Sequence, residues 1–453
     1  AFGLRRIEHS QRIGLCALID AVGRRPDGSH SPRAQRITSS FIGYTLAPRI
    51  NAAGRISSAG LAVELFLTDS REKADALAKR LCDINRERQT EENRIATEAY
   101  AEIDATHDFA NDPVIVLAAD NWHHGVIGIV ASRITEKYGL PSILISFDGA
   151  QSDGDLDVGK GSGRSVKGLN LVDALVFCDD LLEKYGGHEL AAGLSVRREN
   201  IDAFRKKINE YAREHFKAED RTPSIDADFE IDPAEVTLEN AEEIRLLEPF
   251  GAGNPQPCFG LFGVRIDDIA SVSDGKHIRM SVSKNGARTG VVYFGMQDKR
   301  FPFDKGDTVD LAVNLDRNVY NGETRVSVIV RGIRPSATDE DKVLSAISLF
   351  ERFSRGEHIG SEEAKRLLPD RALEVEVFRS IKAKPLRDKY CEALCSRLGD
   401  DGERLAAISA TVDIMLEMGV LTADEYNTVS VPQVSQKVNL EDSAILRRIR
   451  SFI

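Results

Sequence analysis

Apolar positions in the middle of this chain follow two alternating periods, which is typical of a domain that contains both helices and strands. Residues 113–118 and 141–147 are short apolar runs of the kind that form buried strands, and a helical pattern over residues 125–138 separates them. The alternation continues, so the pattern predicts an α/β domain over residues 108–218. The other predicted elements are strands over residues 158–165 and 191–196 and helices over residues 169–184 and 199–216.

Residues 70–106 contain neither glycine nor proline, and good helix formers dominate them, which predicts one long helix. Apolar stripes mark both ends, whereas residues 85–94 include no apolar side chain. A helix that is polar on all sides usually runs through solvent between two domains. We therefore expect an interdomain helix over residues 69–107, about 50 Å long.

Short strand signals replace this pattern after a polar linker at residues 217–223. They predict an OB-like β-barrel over residues 224–335, with a helix inserted at residues 238–247. Asn285-Gly286 and Asn321-Gly322 are typical of hairpin turns. The predicted strands cover residues 225–229, 259–270, 277–282, 289–294, 308–315 and 324–330.

Helical periodicity returns over residues 338–453, with a small hairpin predicted at residues 420–431. This pattern favours a winged-helix-like module. Cys391 and Cys395 stand four residues apart there, a spacing that on a helix reflects packing more often than metal binding.

The net charge of −12 argues against a protein that coats nucleic acid with its whole surface. The charge is uneven, because residues 1–60 contain nine arginines, no lysine and three acidic residues, which gives 9 − 3 = +6 and leaves −18 for the rest. A local basic surface on an acidic body favours a cleft that threads a polyanion. The alternative is that these arginines are spread over several faces.

The chain shows no apolar run of the ~18 residues that a transmembrane helix needs, and residues 3–8 lack the apolar core of a signal peptide. Its six cysteines are scattered. We therefore expect a protein of the reducing cytoplasm that does not bind membranes.

Three glycine- or arginine-rich segments combine the groups that bind phosphate oxygens: residues 186–193, 161–165 and 48–55. Glycines let the backbone approach a ligand, while Arg, Ser, Asn and His donate hydrogen bonds. Residues 161–165 are expected to form a glycine-rich turn at the end of a strand. The candidate phosphate-binding residues are Arg49, Asn51, Arg55, Ser162, Gly163, Arg164, Ser165, Gly186 and Gly187, and the candidate catalytic residue is His188.

Each candidate also has a plain structural explanation. Arg164 is alternatively a solvated arginine on a surface turn, and His188 a buried histidine bonded to backbone. Arg49, Asn51 and Arg55 alternatively form salt bridges to another domain.

The only tryptophan, Trp122, is a candidate for base stacking or for core packing. His123 and His124 follow it and precede a predicted helix, where structural packing is the favoured interpretation. In the barrel region a basic stripe with neighbouring aromatics predicts a strand-binding face. It comprises Lys276, His277, Arg279, Lys284 and Arg288, with Tyr293 and Phe294 nearby.

Taken together and in this order, these segments resemble the RecJ family of 5′→3′ single-stranded-DNA exonucleases in the DHH phosphoesterase superfamily. The resemblance covers residues 1–335 and is carried by 48–55 (PRINAAGR), 122–130 (WHHGVIGIV), 161–165 (GSGRS), 187–188 (GH) and 250–255 (FGAGNP). It implies the end of a DHH domain at residues 1–68, the interdomain helix, a DHH-associated domain at 108–218, the OB-like domain and a C-terminal extension. Arg164 and Ser165 would then grip the 5′ phosphate of DNA, and His188 would contact the scissile phosphate.

The resemblance also implies hydrolysis with two Mn²⁺ or Mg²⁺ ions bound by Asp and His residues. This sequence contains no Asp-His-His and no His-x-Asp-x-Asp motif. We therefore expect the substrate-binding portion of such an enzyme, which binds no metal and is inactive alone.

The implied ligand is single-stranded DNA, with single-strand binding protein as a possible partner and a monomeric state expected. Two alternatives remain: a DHH-type phosphodiesterase for oligoribonucleotides or cyclic dinucleotides, and a non-catalytic replication scaffold descended from the nuclease.

Overall fold

The computed structural model describes residues 2–23, 37–109, 111–147, 157–216, 224–320, 323–433 and 438–453. The chain divides into two compact units, Ala1–Pro223 and Ser224–Ile453. The predicted linker at residues 217–223 and the Asn321-Gly322 turn lie outside the described residues. Among the helices in these ranges, none is both long enough and apolar enough to cross a membrane.

The first unit begins with helices that pack around one end of a long helix. Apolar residues of α2, α4 and α5 surround Ala74, Ala78 and Leu81 of α6. The helices are α1 (Phe2–Glu8), α2 (Ile13–Gly23), α3 (Ser39–Phe41) with a π-helical turn (Ile42–Leu46), α4 (Ala47–Ile56), α5 (Gly60–Leu67) and α6 (Arg71–Thr106).

The long helix α6 forms as a single 36-residue element, and the Ser70 side chain caps its start by accepting the Lys73 N–H. The expectation that its polar middle runs through solvent is wrong. Asn85 is buried, and Arg88 and Glu92 pair with side-chain exposures of only 11% and 13%. The polar residues form a half-buried ion network rather than a solvated bridge.

The α/β part of the first unit is a mixed sheet in the order β1-β2-β3-β5-β4, with only β1 and β2 parallel. Helices α6 and α7 cover one face, and α8 and α9 cover the other. Its elements are β1 (Ile115–Ala119), α7 (His124–Tyr138), β2 (Ser142–Ser146), β3 (Val158–Arg164), α8 (Leu171–Phe177), β4 (Leu182–His188), β5 (Ala191–Arg197) and α9 (Ile201–His215).

Two predictions for this domain are wrong. The helix expected over residues 169–184 ends at Phe177, and an edge strand begins at Leu182. The strand expected over residues 158–165 forms as β3, but the glycine-rich turn expected at residues 161–165 does not, because residues 161–164 lie inside this strand. The glycines there make room for neighbouring side chains, because an added Cβ at Gly161 or Gly163 would lie 2.7 Å from a leucine side chain on the α8 side.

The second unit contains the predicted closed barrel. Strands β7, β8, β9, β11 and β10 follow one another around it, and β10 pairs back with β7. The parallel pairing of β9 with β11 completes the circuit, and Asn285-Gly286 forms the tight β8–β9 turn with positive φ at both residues. The elements are β6 (Phe229–Glu230), α10 (Leu238–Ile244), β7 (Phe259–Val272), β8 (His277–Lys284), β9 (Ala287–Phe294), β10 (Thr308–Tyr320) and β11 (Glu323–Pro335).

The C-terminal region is mainly helical, as predicted, and packs around the central helix α15. A two-stranded hairpin forms within the range predicted for one. The elements are α11 (Glu340–Ser354), α12 (Ser361–Leu367), α13 (Arg371–Ala383), α14 (Cys391–Arg397), α15 (Leu405–Glu417), β12 (Thr422–Ala423), β13 (Val429–Ser430) and α16 (Ala444–Arg450).

The C-terminal helices complete the core of the barrel. Ala393 of α14 belongs to the buried barrel cluster, and the neighbouring Tyr390 packs edge-on against Phe303 with ring centroids 5.9 Å apart. Lys384 reinforces this contact through ion pairs with Asp304 (2.9 Å) and Asp307 (3.1 Å). The barrel and the C-terminal module therefore share one hydrophobic interface.

We predict that Tyr390→Ala lowers the free energy of unfolding by about 2–4 kcal/mol, because it removes a partly buried aromatic ring that packs between barrel and module. Urea denaturation followed by circular dichroism measures this change. The control is Tyr44→Ala, whose side chain is 84% exposed and whose loss should change stability by less than about 0.5 kcal/mol. Equal stability of the two variants would contradict a shared core.

Candidate phosphate-binding site

The C-terminal end of α4 abuts the first turn of α7. A Cβ added at Gly125 would lie 2.3 Å from the carbonyl oxygen of Arg55, so only glycine permits this approach. The Arg55 guanidinium in turn donates a hydrogen bond of 3.1 Å to the Gly125 carbonyl. This contact fixes Arg55 beside the start of α7.

Helix α7 begins at this point because His123 caps it. The His123 Nδ1 accepts the Gly125 N–H at 3.0 Å. The backbone N–H groups of Gly125, Val126 and Ile127 all donate to His123, and the positive end of the helix dipole lies at this turn. Such a turn is well suited to bind an anion.

Arg164 approaches α7 from β3, about one turn after the Gly125 contact. Its side chain and that of Ser162 lie against Gly128, where an added Cβ would be 3.2 Å from the Arg164 Nη2 and 2.8 Å from the Ser162 Oγ. The Arg164 Nη1 donates to the Gly163 carbonyl at 2.7 Å and to the Ser162 Oγ at 3.3 Å. We call Arg55, Ser162 and Arg164 the arginine site.

The electrostatics of the arginine site are unusual, because two guanidinium groups lie close together. Burial, and to a smaller extent the charge of Arg55, lower the pKa of Arg164. Within the described residues, neither arginine has a carboxylate within salt-bridge distance. A pair of uncompensated cations beside a helix N-terminus favours a bound anion.

The strand register extends this site into a groove. Arg164 of β3 lies opposite Ala191 of β5, which lies opposite His188 of β4, and directly opposed residues share one face of a sheet. Because strands lie 4.7–4.9 Å apart, the His188 and Arg164 Cα atoms are separated by about 10 Å. His188 is exposed at the β4–β5 hairpin, so the interpretation of a buried histidine is wrong.

The floor of the groove is glycine. Gly186 and Gly193 lie in register with Ser162, and both are exposed. An added Cβ at Gly186 would meet nothing within 4 Å, and one at Gly193 would meet only a backbone oxygen at 3.8 Å. Gly187 differs, since its Cβ would lie 2.4 Å from the Ala191 oxygen. The fold therefore requires Gly187, whereas Gly186 and Gly193 keep the groove free of side chains.

Several predicted residues do not join the arginine site. The Ser165 hydroxyl donates to the Leu169 carbonyl at 2.8 Å, and Gly163 faces the core on the opposite side of the sheet. The guanidinium of Arg49 is bonded to the carbonyl of Thr45. Asn51 is exposed on α4, four residues before Arg55.

The other candidates are explained by packing. Trp122 is 1% exposed and donates its indole N–H to Glu98 at 2.9 Å, so it belongs to the core and not to a stacking surface. His123 serves as a helix cap and stacks on His124. In the part of the chain that the structure describes, no group of three or more His, Cys, Asp or Glu side chains could bind a metal ion.

The basic stripe of the barrel is only partly available. Lys284 pairs with Asp232 at 3.0 Å, and Arg288 pairs with Asp267 at 3.2 Å. Phe294 remains 55% exposed, edge-on to the His277 ring.

Sequence reasoning missed Gly125 and Gly128 as parts of the site, and it missed Lys160. The signal was present in β3, where Lys160, Ser162 and Arg164 alternate with glycines. In a strand, this alternation places all three polar side chains on one face. Interpreting the segment as a turn concealed that face.

Known proteins share this arrangement of domains. A family model described as the DHHA1 domain matches residues 111–214, and one described as the RecJ OB domain matches residues 227–332. The single-stranded-DNA-specific exonuclease RecJ of Haemophilus influenzae is 32% identical over 343 residues, which cover 74% of this chain and 57% of that protein. The chain belongs to the RecJ family.

Other RecJ proteins extend the comparison. RecJ of Bacillus subtilis is 28% identical over 330 residues, which cover 73% of this chain and 40% of that protein. A crystal structure of RecJ from Thermus thermophilus in complex with Mg²⁺ is 30% identical with a TM-score of 0.60, covering 73% of this chain and 48% of that one. The chain spans about half the length of the RecJ relatives it matches.

The family match locates the site within the RecJ framework. Ser162, Arg164 and His188 fall inside the DHHA1 match, whereas Arg55 precedes it in the chain. The arginine site therefore joins the DHHA1 domain to the helices before it.

We predict that substitution by alanine affects stability differently at two glycines of this domain. Gly163→Ala should lower the free energy of unfolding by about 1–3 kcal/mol, since its Cβ would overlap Leu171. Gly193→Ala should be neutral or stabilise by up to about 1 kcal/mol, because the strand loses a flexible residue and gains no clash. Thermal and urea unfolding compare the two variants, and destabilisation by Gly193→Ala would show that the floor glycine serves the fold.

Proposed function

We propose that this chain is the substrate-binding portion of a 5′→3′ single-stranded-DNA exonuclease that acts in DNA repair and recombination. The observation that carries the proposal is the uncompensated guanidinium pair at the start of α7. Its donors match the oxygens of a phosphate group, and a terminal 5′ phosphate distinguishes the end at which such an enzyme begins. Membership of the RecJ family supports the same substrate.

In this proposal Arg164 and Arg55 donate to the phosphate oxygens, and the Ser162 hydroxyl and the positive end of the α7 dipole complete the contact. Guanidinium groups suit this role because they present several donors in a fixed plane. His188, across the glycine floor, contacts the scissile phosphate or orients the leaving group. Asn51, exposed one turn before Arg55 on α4, extends the DNA contact beyond the arginine site.

The metal chemistry of such an enzyme needs other residues. A RecJ structure from Thermus thermophilus contains Mg²⁺ and another contains Mn²⁺. The side chains of the described ranges do not fit such ions, because no suitable cluster of ligands occurs among them. We therefore assign binding and orientation of DNA to these residues, and no hydrolytic step.

The OB barrel favours a strand over a small ligand, since cyclic dinucleotides do not need a second binding domain of this kind. The proposal includes a cytoplasmic location, a monomeric state and single-strand binding protein as a partner. A DNA-binding scaffold without hydrolysis is the competing function, and it predicts no dependence on a 5′ phosphate.

We predict that Arg164→Gln or Arg55→Gln weakens binding of 5′-phosphorylated oligothymidylate by about tenfold or more, because each removes a charged hydrogen-bond donor. Fluorescence anisotropy with 5′-phosphate and 5′-hydroxyl probes measures the preference. Ser165→Ala is the matched control, since that hydroxyl faces its own loop. Equal binding of both probes by the wild-type protein would favour the scaffold.

We predict that the purified chain retains 5′-phosphorylated single-stranded DNA in the presence of Mn²⁺ without releasing nucleotides. Filter retention and chromatographic analysis of products measure both outcomes. His188→Ala should leave retention within about twofold, since a contact used in hydrolysis adds little to binding. Nucleotide release that Arg164→Gln abolishes would contradict the division between DNA binding and metal chemistry.

A further inference from the structure

A second cationic position lies in the groove, one strand repeat from the arginine site. Ser195 of β5 lies opposite Lys160 on β3 and opposite Lys184 on β4. All three residues line a pocket of about 350 Å³, which His124 and Ile127 of α7 also line.

The register places the two lysines on one face of the sheet, on either side of Ser195. Lys160 and Lys184 share a face with the intervening Ser195, and their Cα atoms lie about two strand spacings, or 10 Å, apart. Their long flexible side chains can converge above the Ser195 hydroxyl. An N–H donor of each lysine and the Ser195 O–H can then contact a single anion.

Lys184 contributes an exposed positive charge to this position. Lys184 is exposed, and across the described ranges it has no carboxylate within salt-bridge distance. The nearest acidic neighbour in sequence, Glu183, pairs instead with Arg197 at 2.7 Å. Gly193 and Gly186 lie between this position and the arginine site, and neither has a side chain that would block the groove.

We propose that Lys160, Lys184 and Ser195 form a second phosphate subsite, so that the groove binds two phosphate groups of one DNA strand. Lys160 and Ser162 are two residues apart on β3, a rise of about 6.6–6.8 Å. This is comparable to the separation of consecutive phosphates along an extended strand. The inference rests on the proposed function, since the first phosphate occupies the arginine site.

The second phosphate has two possible sources with the same chemistry. It belongs either to the first internucleotide linkage or to a 5′ polyphosphate end. Three oligothymidylate probes separate these sources: one with a 5′ monophosphate, one with a neutral methylphosphonate at the first linkage, and one with a 5′ triphosphate. Anisotropy titrations at several salt concentrations give both affinity and salt dependence.

We expect the Lys160→Gln/Lys184→Gln double variant to bind the 5′-monophosphate or the 5′-triphosphate probe about tenfold more weakly than the wild-type protein does. The slope of log K against log salt should become shallower by about 0.7, the value for one phosphate of a single strand. For the wild-type protein, the methylphosphonate probe should bind more weakly if the linkage supplies the phosphate. The triphosphate probe should bind more tightly if a polyphosphate end supplies it.

The control is Lys206→Gln, which removes an exposed lysine of α9 on the opposite face of the same sheet. Thermal unfolding verifies that each variant is folded. If the double variant bound all three probes as tightly as the wild-type protein does, while Arg164→Gln bound them more weakly, the second subsite alone would be overturned. If Arg164→Gln also bound normally, the proposed function itself would fail.

Discussion

The geometry of the candidate site depends on the contact between α4 and α7 at Gly125. The carbonyl oxygen of Arg55 occupies the space that a side chain at residue 125 would fill. The negative end of the α4 dipole therefore meets the positive end of the α7 dipole, a favourable arrangement of two helices. Because Arg55 lies at this junction, its guanidinium is fixed beside Arg164 even though the two charges repel. The fold supplies the energy that keeps the two cations together.

The long helix α6 connects this junction to the rest of the first unit. Glu92 of α6 accepts from Arg133 of α7 at 3.1 Å, and Arg94 donates to the Asn121 carbonyl just before the α7 cap. The Glu91 carboxylate accepts hydrogen bonds from Arg94 and from the backbone of His123, which lower its pKa. The polar residues in the middle of α6 thus have specific bonding partners instead of only contacting solvent. Through these partners they orient the segment that begins α7.

Periodicity predicted most of the fold, including the barrel and the long helix, because burial there follows strand and helix repeats. Strand β4 was missed because it lies at the edge of the sheet and buries too few side chains to show an apolar period. Residue types indicated Arg55 and Arg164 as candidate phosphate-binding residues and His188 as a candidate catalytic residue, but which of them lie close together depends on tertiary register. Local hydrogen bonding excludes Ser165, although it adjoins Arg164 in sequence. Gly125 gave no local signal, because its role arises from a residue 70 positions earlier.

The boundaries of a family match and of a folding unit need not coincide. The RecJ OB match ends at residue 332, yet Ala393 lies in the barrel core and Tyr390 packs on Phe303. Arg387 also donates to the Asp304 carboxylate at 2.8 Å, so polar as well as apolar contacts join the C-terminal module to the barrel. A barrel separated from this module would expose Phe303, which is now almost fully buried. The hydrophobic effect therefore makes the C-terminal module part of the structure of the barrel.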